Sequence, residues 1–221
     1  MLQVKTIPVG MLETNAYLLT DEATGKTAVV DPGVAQSDLL HAMQEAGLEN
    51  VTAIFLTHGH YDHIGGVAAI QKETGATIYI GEQDGEFPSN SRLNLDKMLQ
   101  GRLTPFNPDV LLHDGDTVQL GETTFRVVST PGHTAGSICF VTDGVLLSGD
   151  TLFHGSMGRT DFPTGSPVKM MESLQRLAKL EGDYTVYPGH GPSSTLDWER
   201  KYNPYMRQEM GTEGKSDDFV Y

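Results

Sequence analysis

The chain has 221 residues, a formal net charge of −14 and 38% hydrophobic residues, enough for one large α/β domain with a substantial core. The acidic balance argues against a nucleic acid or an anionic membrane as partner, because both require a basic surface. The single cysteine, Cys139, excludes a framework of internal disulfides, and its apolar neighbours predict a small buried strand residue.

The sequence predicts neither a membrane-spanning helix nor a secretory signal. No apolar stretch reaches the roughly 20 residues that a membrane-spanning helix requires. The first eight residues include Lys5 and Pro8 and lack the apolar core of a signal peptide. Together with the single cysteine, these features predict a cytoplasmic protein.

The N-terminal part of the chain alternates between predicted strands and helices. Strands are expected at 15–19 and 27–30. Ser37 is expected to cap a helix that stops at Gly47. Asp31 follows the second strand in a turn with proline and glycine, and its pattern has two interpretations. It is either a turn former or a carboxylate that orients a metal-bound histidine.

The segment 57–63 (Thr-His-Gly-His-Tyr-Asp-His) is the richest in metal-binding side chains. The apolar, β-branched run before it, 51–56, predicts a buried strand. The run after it, 64–70, predicts the start of a helix that ends near Gly75. The histidines are therefore expected on a strand-to-helix loop, where a rigid scaffold commonly presents functional groups.

The spacing within this segment indicates which side chains act together. His58 and His60 are two residues apart, which suits an extended loop rather than one helical face. Asp62 and His63 follow where the chain turns into the helix, so this pair is expected to face a different point. One loop can therefore serve two neighbouring metal ions.

A strand is expected at 77–80, and the stretch that follows, 81–108, is polar and rich in proline. A short helix is predicted at 93–99 within it. This stretch is a candidate wall or lid of a pocket, and its residues indicate no particular chemistry.

The second half of the chain returns to strands. The expected elements are hairpins over 117–128 and 137–147, a loop at 151–165, a helix that starts at Ser166 and Pro167, a strand at 184–187 and a short amphipathic helix around Trp198. Two strand-rich halves without a linker predict two packed sheets with helices outside. We assign 1–210 to a single domain and 211–221 to a polar, flexible tail.

Three further candidate ligands occupy equivalent places. His133, Asp150 and His190 each follow a predicted strand, in a turn that contains glycine. Strand ends at one edge of a sheet lie close together, so these residues and the 57–63 loop are expected to form one site. Imidazole and carboxylate ligands together suit zinc, with iron and manganese as alternatives.

The remaining histidines are given lesser roles. His41 lies on a predicted helix and His113 lies in a turn beside Asp114, so both are expected to be surface residues. His154 is close to Asp150 in the sequence and is a candidate for the wall of the pocket.

This ordered set of motifs resembles the metallo-β-lactamase superfamily, and the match spans nearly the whole chain. The resemblance implies an α/β fold, a four-layer αβ/βα sandwich of two mixed sheets with helices outside and two divalent metal ions at one edge. It implies ligands as follows: His58, His60 and His133 for one ion, Asp62, His63 and His190 for the second, and Asp150 bridging the two. Asp62 and Asp150 are also the expected catalytic residues.

Within the superfamily, two runs are similar to the glyoxalase II group: 149–153 (Gly-Asp-Thr-Leu-Phe) and 158–163 (Gly-Arg-Thr-Asp-Phe-Pro). The run 187–196 is similar to the short, single-domain branch of that group. The likeness implies hydrolysis of thioesters such as S-lactoylglutathione by a metal-bound hydroxide. Full-length members carry a C-terminal helical domain, and they have a lysine where Arg159 stands here. Arg159 has two interpretations: it binds a carboxylate of the substrate, or it forms a surface or structural ion pair.

Other functions stay open at this point. The run 158–162 also resembles persulfide dioxygenases, which would use one Fe(II) bound by His58, His133 and Asp150. Hydrolysis of another ester, a lactone or a β-lactam would use the full ligand set, and a metal-binding or redox module would use it without turnover. An anionic substrate is favoured, because two dications, two carboxylates and one hydroxide leave about one positive charge at the site.

Overall fold

The computed structural model describes residues 1–207, and the predicted tail at 211–221 lies outside the described residues. The described chain contains two six-stranded sheets and a small two-stranded one. The two large sheets pack face to face, with helices on their outer surfaces. This confirms the predicted sandwich of two mixed sheets.

The first sheet takes its strands from the N-terminal half, in chain order. They are β1 (Leu2–Val9), β2 (Thr14–Asp21), β3 (Thr27–Val30), β4 (Val51–Phe55), β5 (Thr77–Gly81) and β6 (Val110–Leu112). Strands β1 to β3 pair antiparallel, and β3 to β6 pair parallel. The carboxyl ends of β3, β4 and β5 consequently lie at one edge of the sandwich.

The second sheet takes its strands from the C-terminal half, in the order β14-β13-β10-β9-β8-β7. They are β7 (Thr117–Leu120), β8 (Thr123–Ser129), β9 (Ile138–Thr142), β10 (Val145–Gly149), β13 (Thr185–Pro188) and β14 (Ser194–Thr195). A small hairpin of β11 (Leu152–Phe153) and β12 (Ser156–Met157) lies within the segment predicted to be a loop. Strands β10 and β13 are parallel, so both end at the same edge.

Six α-helices are found in the described part of the chain. They are α1 (Ser37–Ala46), α2 (Tyr61–Ile64), α3 (Val67–Thr74), α4 (Ser91–Asn94), α5 (Pro167–Ala178) and α6 (Leu196–Tyr202). Helices α1 and α3 pack on the first sheet, and α5 and α6 pack on the second. Across residues 1–207, every helix is too short or too polar to cross a lipid bilayer.

The inner faces of the two sheets form the central core. Phe55, the last residue of β4, stacks on Phe140 of the second sheet with ring centroids 4.9 Å apart. It also meets the edge of Phe125 at 5.5 Å. Such aromatic contacts across the sheets fix the end of β4, and His58, the first candidate ligand, follows three residues later. Cys139 is fully buried in β9, as predicted.

One helix prediction is wrong in detail. The helix expected at 64–70 is divided into α2 and α3, with Gly65 and Gly66 between them. The turn after β3 packs against this break: a Cβ at Gly65 would lie 2.3 Å from the carbonyl oxygen of Gly33. The N–H of Gly66 donates to the carbonyl of Pro32 at 2.7 Å. Glycine is therefore required here for close approach of two backbones.

Two other local predictions also fail. Ser37 is the first residue of α1 rather than its cap, and its hydroxyl turns to Asp38. The helix expected at 93–99 lies at 91–94, because Asn90 caps its N-terminus and Leu95 adopts a left-handed φ of 65° that ends it. By contrast, Ser166 caps α5 through Lys169 as predicted.

Candidate metal centre

The seven predicted ligands lie together at the edge where the parallel strands end. They are His58 and His60 after β4, Asp62 and His63 in α2, His133 after β8, Asp150 after β10 and His190 after β13. Each supplies an atom to at least one of three groups whose ligand atoms all lie within 4.8 Å of one another. The groups are His58, His60 and His133; His58, His63 and Asp150; and Asp62, His63 and His190.

The first part of the centre, here named the histidine half, consists of His58, His60 and His133. All three are 1–3% exposed, and Nδ1 of His60 lies 2.9 Å from Nε2 of His133. Burial lowers the pKa of His58 well below its usual range and that of His60 to about 3. Nδ1 of His133 donates to the carbonyl of Arg159 at 2.7 Å. This hydrogen bond orients the ring so that Nε2 faces the other candidate ligands. His58 and His60 are therefore neutral imidazoles, the form that binds a metal ion.

The second part, named the carboxylate half, consists of Asp62, His63 and His190. Oδ2 of Asp62 lies 3.5 Å from Nε2 of His63 and 3.3 Å from Nε2 of His190. Nδ1 of His63 is 3.0 Å from Asp31, and Nδ1 of His190 is 3.1 Å from the carbonyl of Leu12. Hydrogen bonds on the Nδ1 side direct both Nε2 atoms to the centre.

Asp150 lies between the two halves and touches both. Its Oδ2 is 3.4 Å from Nε2 of His133 and 3.7 Å from Nε2 of His190. Its Oδ1 is 3.3 Å from Nε2 of His63. Gly189 gives the carboxylate its space, since a Cβ there would lie 2.1 Å from Oδ1.

Negative charge is concentrated around the buried ring of His63. Burial alone would lower the pKa of His63, but the carboxylates of Asp150, Asp62 and Asp31 outweigh it and raise the pKa well above its usual range. Burial likewise opposes ionisation of Asp150, yet the neighbouring His63 holds its pKa well below the usual range. Three carboxylates in one buried region create a strong attraction for cations.

The donor set fits divalent metal ions. Nε2 of His58, Nε2 of His60 and Oδ1 of Asp150 are buried and make no hydrogen bond within residues 1–207. Buried polar atoms are rarely left unpaired, because each costs free energy to desolvate. Imidazole nitrogens and carboxylate oxygens facing one another are ligands for zinc, iron or manganese, so coordination would satisfy Nε2 of His58 and Oδ1 of Asp150, while His60 faces His133 through Nδ1.

The structure combines the two interpretations of Asp31. Its φ of 46° is left-handed, as expected of a turn residue. Its Oδ2 accepts from the Thr57 hydroxyl at 2.6 Å and lies 3.0 Å from Nδ1 of His63, while Oδ1 accepts from the Thr57 N–H at 2.8 Å. Asp31 therefore both shapes the turn and orients a candidate ligand.

Arg159 lies beside the histidine half but already has a partner. Its guanidinium donates to Asp161 through Nε and Nη2, both at 2.7 Å. It also covers the ring of Phe162 at 4.0 Å. Phe162 in turn meets the ring of His60 edge-on at 5.6 Å. Residues 159–162 thus place the ring of Phe162 and the ion-paired guanidinium of Arg159 beside the site.

The three lesser histidines lie outside the groups of candidate ligands. The side chains of His41 and His113 are 72% and 58% exposed, as expected of surface residues. His154, at the turn of the β11–β12 hairpin, lies 3.3 Å from Glu199 and stacks on Trp198 at 4.2 Å. It belongs to a neighbouring cluster rather than to the centre.

Sequence reasoning missed Asp84 and Asn15, two buried polar residues that hold the loops of the centre. Asp84 lies in the stretch to which no chemistry was assigned, and its sequence does not distinguish it from the neighbouring acidic residues Glu82 and Glu86. Asn15 did carry a signal, because an amide in a predicted buried strand must find hydrogen-bond partners. Their contacts are described below.

Comparison with known proteins gives one consistent result. The family model of the metallo-beta-lactamase superfamily matches residues 9–190, which include all seven candidate ligands. The hydroxyacylglutathione hydrolase GloC of Haemophilus influenzae is 30% identical over 220 residues, covering 94% of this chain and 100% of the relative. Both likenesses extend over nearly the whole described chain.

Two solved structures share the fold. The B3 metallo-beta-lactamase BLEG-1 superposes with a TM-score of 0.87 at 33% identity, covering 93% of this chain and 100% of that one. TTHA1623, solved in a di-iron-bound form, superposes with a TM-score of 0.82 at 34% identity, covering 91% and 100%. The predicted fold class is thereby confirmed.

Proposed function

The chain belongs to the metallo-β-lactamase superfamily, and from this premise we propose that it is a metal-dependent hydrolase of thioesters. The proposed substrates are anionic S-acyl conjugates of glutathione, such as S-lactoylglutathione. The observation that carries the proposal is the meeting of seven imidazole and carboxylate side chains at one edge, where Nε2 of His58 and Oδ1 of Asp150 are buried without a hydrogen bond within residues 1–207. The similarity to GloC over that relative's full length supports the substrate class.

We assign the ligands to two divalent ions, with zinc as the expected metal and iron or manganese as alternatives. His58, His60 and His133 would hold one ion, Asp62, His63 and His190 the other, and Asp150 would contact both. When bound, the ions would supply a Lewis acid for the thioester carbonyl and a water of lowered pKa. The relative that was solved with two irons supports a dinuclear centre.

The exposure of the two halves indicates where the substrate enters. The side chains of Asp62 and His190 are 17% and 27% exposed, whereas the histidine half is nearly inaccessible. Phe87 and Phe162 lie against His60, with ring centroids 6.0 and 5.6 Å away. A thioester would therefore approach from the carboxylate half, where Asp62 and Asp150 are the proposed catalytic residues.

Arg159 is proposed to bind a carboxylate of the substrate. Asp161 engages two of its guanidinium N–H groups, and an arginine has five. The N–H groups that Asp161 does not engage in this ion pair are the ones proposed to donate to the substrate carboxylate. The pair also holds the guanidinium against Phe162, so the group is presented in one orientation beside the site.

We propose further that residues 1–210 act as a single catalytic domain and that the protein is cytoplasmic. Cys139, the chain's one cysteine, is buried and unpaired, which suits a reducing compartment. The partners would be small anionic molecules, attracted by the positive charge that the two ions would supply within a protein of net charge −14.

The test is the initial rate of S-lactoylglutathione hydrolysis by protein reconstituted with zinc. We expect a rate that chelation removes and zinc restores, and that His41→Gln, an exposed control, retains. Metal binding without hydrolysis would overturn the substrate assignment. Oxygen uptake with glutathione persulfide would then favour the mononuclear iron dioxygenase, and cleavage of a cephalosporin would favour the activity named for BLEG-1.

A further inference from the structure

The loops of the histidine half are joined by Asp84, which is not a candidate ligand. Oδ2 of Asp84 accepts from the N–H of Gly59, the residue between His58 and His60, at 2.9 Å. The same oxygen accepts from the hydroxyl of Thr134 at 2.7 Å, and Oδ1 accepts from the N–H of Gly136 at 2.8 Å. One buried carboxylate thus holds both loops that supply this half.

The carboxylate half has a different support, at the start of β2. Nδ2 of Asn15 donates to the carbonyl of Pro188 at 3.0 Å and to the carbonyl of Gly191 at 2.8 Å. These two carbonyls lie on either side of His190 in the sequence. The N–H of Asn15 also donates to the carbonyl of Gly189 at 2.7 Å. Asn15 therefore encloses the backbone of the loop that carries His190.

The two supports are buried, and the hydrogen bonds of each side chain reach the loops of one half only. Asp84 is 0% exposed and Asn15 is 5% exposed. Asp84 bonds to residues next to the histidine half, and Asn15 bonds to residues next to His190. A close fit accompanies the first of them, since a Cβ at Gly136 would lie 2.5 Å from Oδ1 of Asp84.

We propose that Asp84 and Asn15 are positioning residues, each of which prepares one half of the centre for its own ion. The inference rests on the proposed metal site, and it adds that the two ion positions are supported independently. Neither side chain needs to touch a metal, because each acts through backbone that carries ligands. Outer residues of this kind commonly contribute 10–100-fold, roughly, to metal affinity.

Two nearly isosteric substitutions test the proposal by reversing hydrogen-bond polarity. Asp84→Asn turns an amide NH₂ towards N–H donors, and Asn15→Asp turns a carboxylate towards two carbonyl oxygens. Metal-free protein is titrated with Zn²⁺ in a calorimeter, and His60→Ala and His190→Ala identify which binding step belongs to which half. We expect Asp84→Asn to weaken the histidine-half step, and Asn15→Asp the step of the carboxylate half, each by roughly 10–100-fold.

Asp21 supplies a matched control at another place in the sandwich. Its buried carboxylate also accepts three hydrogen bonds, from the Thr24 hydroxyl at 2.6 Å, the Glu122 N–H at 3.0 Å and the Thr123 hydroxyl at 3.0 Å. Asp21→Asn should therefore leave both zinc-binding steps unchanged. Thermal unfolding of each metal-free variant reports whether the fold is retained.

The outcomes separate this inference from the proposed function. The proposal of independent supports would be overturned if a variant weakened both zinc-binding steps equally, weakened the step of the other half, or weakened neither step. If Asp84→Asn or Asn15→Asp does not fold, Thr134→Val removes one hydrogen bond of Asp84 and Asn15→Ala removes the two side-chain bonds of Asn15. The same outcomes then decide for or against the proposal. Two zinc steps without thioester hydrolysis would sink the proposed function alone, whereas a wild-type protein that binds no zinc would overturn both.

Discussion

The two halves of the centre differ in both charge and access. The histidine half offers three imidazoles that are 1–3% exposed, and aromatic rings lie against it. The carboxylate half includes an acidic ligand, and the side chain of its His190 is 27% exposed. The histidine half is buried and contains no carboxylate, whereas the carboxylate half contains Asp62 and is partly exposed.

The difference indicates a division of labour within one site. A buried set of neutral donors resembles a structural metal site, where all partners come from the protein. The carboxylate half is partly exposed at Asp62 and His190, which leaves room for water or substrate beside these ligands. We therefore expect the ion of the histidine half to be the more firmly held, and the ion of the carboxylate half to meet the substrate.

The largest expected effect comes from the residue that both halves share. Asp150 lies within 3.7 Å of nitrogen atoms from His133, His63 and His190. Asp150→Ala should reduce thioester hydrolysis to the rate without enzyme, because it removes a ligand from both positions at once. The measurement is the steady-state rate at saturating zinc, beside the exposed control His113→Gln. A retained wild-type rate would show that the two halves work without a shared ligand.

The next effect separates the halves. His60→Ala should remove the ion of the histidine half, while Asp62→Ala and His190→Ala should each remove the ion of the carboxylate half. Elemental analysis after dialysis should find one bound ion in each variant instead of two, because each loses a direct ligand. Two ions and a full rate in all three would show the dinuclear assignment to be wrong.

The sequence allowed the ligands to be predicted better than their supports. Strand ends at one edge of a sheet lie close together, so the placement of His133 and His190 beside the 57–63 loop was predicted without any knowledge of contacts. Asp84 was not found, because its partners are backbone groups of two loops distant in the chain. The break between α2 and α3 was missed for the same reason, since Gly65 is required by a turn more than 30 residues earlier.

The supports differ in one further respect, because a carboxylate titrates and an amide does not. Burial raises the pKa of Asp84 to about 6, against its hydrogen bonds from Thr134, Gly59 and Gly136. The unfolded value is about 3.9, so the folded protein holds the proton more tightly between about pH 4 and 6. This contribution to stability is fully present below that window and is lost as the pH rises through it, by roughly 3 kcal/mol.

Urea unfolding of metal-free wild-type protein and Asp84→Asn across this window isolates the effect. The wild-type free energy of unfolding should fall with rising pH relative to that of the variant, because only the wild type releases this proton. Asn15→Ala should run parallel to the wild type. A constant difference between wild type and Asp84→Asn would contradict the raised pKa.

The smallest expected effect tests a single hydrogen bond in the carboxylate half. The buried hydroxyl of Thr14 donates to Oδ2 of Asp62 at 3.3 Å, a long bond that supports an exposed ligand. Thr14→Val keeps the shape of the side chain and removes the hydrogen bond, which is worth about 1 kcal/mol. The zinc affinity of the carboxylate half should therefore fall about fivefold. The control is Thr20→Val in the same strand, whose hydroxyl faces Thr27 at 3.3 Å. Because Asp62 keeps both imidazole neighbours, the position should weaken without being lost, and the zinc-binding step of the histidine half should not change. Equal weakening by Thr20→Val would assign the effect to the strand instead of to the hydrogen bond.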